Sequence, residues 1–120
     1  MGEAFRNNGK TDICIEKDNR AAFVAECKMW TGQKQVAEAI DQLDHYLTWR
    51  DCKTALIYFV RRKDFMKTLE VAENALRSFE GMKNVTVSDK NVFNCLFLSK
   101  SNAGQQIKMQ VMLFNLYCEG

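Results

Sequence analysis

Seven consecutive residues, Thr54-Ala55-Leu56-Ile57-Tyr58-Phe59-Val60, carry no charge, while Asp51, Lys53, Arg61 and Arg62 on either side do. A run of that length suits a strand better than a helix, and apolar character at successive positions requires cover on both faces. The run is expected at the centre of a sheet.

Two earlier segments alternate instead. From Thr11 to Glu16, Ile13 and Ile15 fall on one side and Asp12, Cys14 and Glu16 on the other; from Ala21 to Lys28, Phe23, Ala25 and Cys27 oppose Val24, Glu26 and Lys28. This period of two predicts a hairpin closed by a turn around Asp18-Asn19-Arg20. With those three residues as the loop, Ile13 pairs with Ala25, Ile15 with Phe23 and Asp12 with Glu26, so one register gathers the apolar side chains and also brings two acids together. A slip by one residue would split both sets.

Gln33 to about Trp49 reads as a helix, with Val36, Ile40, Leu43 and Leu47 as its buried stripe. At about 100° per residue, Gln42 and Tyr46 lie on the margin of that stripe, toward the sheet edge. A second helix begins at the N-cap Asp64, buries Phe65, Leu69, Ala72, Leu76 and Phe79, and stops at Gly81. Asn91 to Leu98 and Ile107 to Leu116 complete the sheet as strands, although Phe93 to Leu98 also has a helical reading.

At 120 residues the whole chain, 1–120, suits one domain. Its 17 basic and 15 acidic side chains leave a charge of +2, so nucleic-acid binding would have to come from local patches. Five cysteines without a Cys-x-x-Cys pair read as reduced thiols. With no stretch apolar enough for a membrane span and no signal-peptide pattern, the expectation is a soluble cytoplasmic protein.

The polar residues singled out above have a shared chemistry. Magnesium or manganese takes hard oxygen ligands, few of them from protein, and Asp12 and Glu26 facing one another across a hairpin supply two carboxylates. The backbone carbonyl of Cys27 offers a third ligand. Lys28, on the same face as Glu26, can place an ammonium beside an attacking water or a developing negative charge on phosphorus. Gln42 can orient that water, and Tyr46, one helical turn later, can hydrogen-bond beside it. Asp12, Glu26, Lys28, Gln42 and Tyr46 are thus the candidate catalytic set, with Asp12, Glu26 and Cys27 as candidate metal ligands.

Gly9-Lys10-Thr11-Asp12, Ala25-Glu26-Cys27-Lys28 and Gln42-x-x-x-Tyr46, in that order, resemble the motifs of the PD-(D/E)xK nuclease superfamily, the last resembling the helical motif of its RecB-type branch. The resemblance covers about Glu3 to Val60. It implies an α/β (α+β) restriction endonuclease-like fold, a mixed central sheet flanked by helices, and Mg²⁺-dependent or Mn²⁺-dependent hydrolysis of DNA. It also implies a helix before the first acidic strand. The stretch preceding Asp12 is short for one, so that helix is expected to be missing or truncated, and Glu3 is the acid nearest to replacing its contribution. A sheet short of a helix exposes apolar surface that a second copy of the chain would cover, which makes a homodimer an expectation as well. The competing reading is a catalytically inactive nuclease-fold module that binds nucleic acid or a protein partner.

Overall fold

The computed structural model describes residues 13–17, 20–46 and 53–118. In chain order these form β1 (Ile13–Lys17), β2 (Arg20–Met29), α1 (Lys34–Tyr46), β3 (Lys53–Val60), α2 (Phe65–Ser78), β4 (Met82–Asp89), β5 (Val92–Leu98) and β6 (Gln106–Asn115). The six strands make one mixed sheet in the order β1-β2-β3-β6-β5-β4. Three central strands, β2, β3 and β6, run parallel, and the outer pairs are antiparallel. The architecture is α+β, and the uncharged run is central, as its composition requires.

The hairpin register follows the apolar alternation: Ile13 lies opposite Ala25 and Ile15 opposite Phe23. A register shift between Ile15 and Glu16 then tightens the turn, so that Lys17 pairs with Arg20 rather than Arg20 lying in the loop. The expected pairing of Asp12 with Glu26 lies outside the described residues.

Both helices pack on the same face of the sheet. Leu56, Tyr58 and Val60 of β3, Val111 and Leu113 of β6, and Phe93, Cys95 and Phe97 of β5 meet Val36, Ile40 and Leu43 of α1 and Leu69, Ala72 and Leu76 of α2 in one core. Burying a side chain such as Ile40 or Leu43 contributes about 1.5–3 kcal/mol. The cover expected over both faces of β3 is therefore not supplied by helices on both sides. On the far face Ala55 is buried between neighbouring strands, while Ile57 and Phe59 are half-buried.

Local chemistry sets the helix ends. The Gln35 side chain accepts from the Thr31 amide and donates to the Met29 carbonyl, at 3.1 and 3.0 Å, tying the first turn of α1 to the end of β2. Asp64 caps α2 by accepting from the Lys67 amide at 3.0 Å. Gly81, with φ of 98°, makes the turn into β4.

One strand was not anticipated. β4 alternates around Val85 and Val87, but only Val85 is buried, so this edge strand carries too little apolar signal to stand out in the sequence. The 92–98 segment is a strand, because its alternate residues Phe93, Cys95 and Phe97 pair beside Val111, Met109 and Ile107. No helix among the described residues is long and apolar enough to cross a membrane.

Asp44, 3% exposed, joins α1 to the β5–β6 connection. Its carboxylate accepts from the Ser99 hydroxyl at 2.6 Å and the Lys100 amide at 2.7 Å. Ser99 Oγ in turn accepts from the Asn102 amide at 2.8 Å. Replacing Asp44 by Ala should lower the unfolding free energy by about 2–4 kcal/mol, because buried donors lose a charged acceptor. Urea denaturation checks this; a loss within error would show that the turn holds itself.

Burial pushes the Cys95 thiol up to about 12, with the Arg77 guanidinium opposing. The folded state therefore favours the neutral thiol. That contribution to stability is whole below the ordinary value of 9.0 and is lost as pH climbs from there toward about 12. In alkylation at neutral pH the exposed Cys118 should react while Cys95 stays protected, and thermal unfolding should shift downward as pH passes 9.0. Equal labelling of both thiols would contradict the protected position.

Candidate functional site

The β2–β3 pairing decides where the acidic strand points. Val24 lies beside Thr54, Glu26 beside Leu56 and Lys28 beside Tyr58, so the Glu26 and Lys28 side chains share the helix-covered face. Glu26 is only 1% exposed. The sequence placed the apolar residues Phe23, Ala25 and Cys27 toward the core and the acids away from it. The structure turns the helices toward the other face of β2: Val24 joins their core, while Ala25 is buried and Cys27 half-buried on the opposite face.

Other polar atoms are buried in the same, otherwise apolar helix-covered side of the sheet. Gln42, on the flank of α1, has its Oε1 buried without a hydrogen-bond partner among the described residues, and so does the Tyr58 hydroxyl. Burial pushes the Tyr58 hydroxyl well above the ordinary tyrosine range, and the nearby carboxylates of Glu26 and then Glu38 push it further. The phenol thus stays protonated within the field of two acids. Trp30 meets Tyr58 edge to face, with ring centroids 5.1 Å apart, and closes one side of the cluster.

Of the predicted site, Glu26 and Lys28 share the helix-covered face of β2, and Gln42 lies on α1, which packs on β2 and β3. Lys28 is half-buried, two residues beyond Glu26. Cys27 contributes backbone between them, and Tyr46 ends α1 one turn after Gln42, with its side chain outside the described residues. Asp12 also lies outside them. Among the described residues the pairing of β1 with β2 ends at Ile13 opposite Ala25, so Glu26 to Met29 pair with β3 alone.

Two residues were missed. Glu38 stands one helical turn before Gln42, and the spacing Glu38, Gln42, Tyr46 was available to show that it shares their flank. Tyr58 is the phenol within an otherwise apolar run, and a hydroxyl there needs a partner. Both were absorbed into the patterns that defined the helix and the strand.

Hard oxygen donors suit a divalent cation, and the Glu26 carboxylate and the buried Gln42 Oε1 are of that kind. Among the described residues no group of three or more His, Cys, Asp or Glu side chains gathers at one point. Compared with known proteins, the chain matches no family model, no curated protein and no solved structure.

Proposed function

We propose that this chain is a metal-dependent nuclease of the PD-(D/E)xK type, with a restriction endonuclease-like fold, that hydrolyses phosphodiester bonds in DNA. The observation that carries the reading is the buried Glu26 on β2, with Lys28 next along the same helix-covered face. Burying a carboxylate in a small core is costly unless something compensates it, and an acid held this way is favoured at sites that bind cations.

Glu26, Asp12 and the Cys27 carbonyl would hold Mg²⁺ or Mn²⁺, and the register of Ile13 opposite Ala25 is the one that, continued by a residue, sets Asp12 beside Glu26. A bound divalent ion would supply positive charge at the phosphoryl oxygens and lower the pKa of a water molecule. Lys28 contributes an ammonium toward the charge that grows on phosphorus as water adds in line with the departing oxygen. Gln42 orients the water or a phosphate oxygen through its amide, and Tyr46 supports the same group from the next turn. Tyr58, kept protonated, is a hydrogen-bond donor at the floor of the cluster.

The test is cleavage of supercoiled and linear DNA with Mg²⁺ or Mn²⁺ present, alongside calorimetric titration with Mn²⁺ alone. Glu26→Gln should abolish Mn²⁺ binding, and Lys28→Ala should lower the cleavage rate by about 100-fold or more while leaving Mn²⁺ binding in place. Circular dichroism establishes that both variants fold. If Lys28→Ala cuts DNA at the wild-type rate, the proposed chemistry is wrong; a folded wild type that neither binds Mn²⁺ nor cleaves is the inactive nucleic-acid-binding or protein-binding module.

A further inference from the structure

The sheet face turned away from α1 and α2 has no described helix over it. Its β3, β6, β5 and β4 portion is hollowed into a groove of about 730 Å³. Lys53 and Lys108 line it together with Asn84, Thr86, Asn94 and Gln110, all exposed, and no Asp or Glu is among the described residues that do so. The pairing of Thr54 with Met109 continues to set Lys53 next to Lys108 on the neighbouring strand, and the Thr54 hydroxyl, donating to the Lys108 carbonyl at 2.6 Å, pins the two strands there. Two ammonium groups held side by side repel each other, and a bound anion relieves that repulsion.

The middle of the groove is amide-rich. Gln110 Nε2 donates to Asn94 Oδ1 at 3.3 Å and Asn84 Nδ2 to Thr86 Oγ1 at 3.2 Å, which leaves further donors and acceptors of these groups facing outward. An apolar helix or a second apolar sheet laid over them would strand those groups. Bases and sugars would satisfy them.

At the other end of the same face, Phe59 and Phe114 stack with centroids 6.0 Å apart and planes 27° from parallel, and Phe114 remains 40% exposed. Phe114 follows Lys108 by six residues on β6, a span of about 20 Å. Cations at one end, hydrogen-bonding amides between and an exposed aromatic at the other are the parts with which a protein surface holds an unpaired strand, phosphates on the cations and a base on the ring. A duplex keeps its bases stacked on one another and could not use the ring.

We propose that this face binds single-stranded nucleic acid, as a surface separate from the Glu26 cluster on the helix-covered face. The proposal does not rest on the nuclease reading. Binding is measured without divalent metal, so its failure leaves the cleavage test untouched.

The experiment is fluorescence anisotropy of a labelled oligothymidylate, and of a duplex of equal length, titrated with the full chain at low salt in EDTA. The single strand should bind more tightly than the duplex. Lys53→Glu with Lys108→Glu should weaken binding by about tenfold or more, and Phe114→Ala by about fivefold. Lys34→Glu with Lys67→Glu, the same charge change on the helices, should stay within about twofold. If the paired reversal loosens the sheet by circular dichroism, Lys53→Gln with Lys108→Gln takes its place. The proposal is overturned if the wild type does not bind the single strand, if the groove variants bind as it does, or if the helix-side control loses as much. A dimer in light scattering that Phe114→Ala dissociates, with no oligonucleotide bound, would overturn it too and assign the face to a second copy.

Discussion

The parallel pairing of β2 with β3, with α1 as the connection between them, is the constraint on which the rest of the structure depends. A strand followed by a helix and a parallel neighbour must send the helix back across one face of the sheet. Once Leu56, Tyr58 and Val60 of β3 are under that helix, the register carries Val24, Glu26 and Lys28 under it as well. The acidic strand is drawn inward by its neighbour. No property of β2 alone would do this, since its other face is at least as apolar.

The same constraint makes the core unusual. A layer that contains Ile40, Leu43, Leu56 and Leu113 also contains a carboxylate, a phenol and an amide oxygen. Low polarity strengthens every interaction among these groups and raises the cost of leaving one unmatched, and it is the reason the Tyr58 proton is held so firmly. Polarity buried in a core costs stability. A second buried carboxylate, Asp44, lies on the same helix and accepts from the Ser99 hydroxyl and the Lys100 amide.

Much of the local structure was legible. Alternation specified the hairpin and its register at Ile13 and Ala25, the 3.6-residue stripe specified α1 and α2, and Asp64 marked the start of the second helix, which ends at Ser78, so that Phe79 is its extended C-cap rather than part of its stripe and Gly81 serves the turn into β4. Edge strand β4 was not legible, because a strand that buries a single side chain barely differs from a polar loop in hydropathy. Of the candidate site, the placement of Glu26 and Lys28 on one face of a strand was readable by spacing. Glu38 and Tyr58 were not, since each belongs to a pattern that has a sufficient structural explanation until the two elements are set against each other.

The sequence by itself determined which residues pair within a hairpin and which lie on one side of a helix, because those relations follow from periods of 2 and 3.6 residues along a continuous chain. Only the tertiary structure decided which side of each element is inside. Both faces of β2 are partly apolar, so the choice between them rests on what α1 and β3, both later in the chain, bring to it. That choice buried Glu26 near Tyr58, placed Cys27 on the far side and left a groove lined by lysines and amides on the face the helices do not cover.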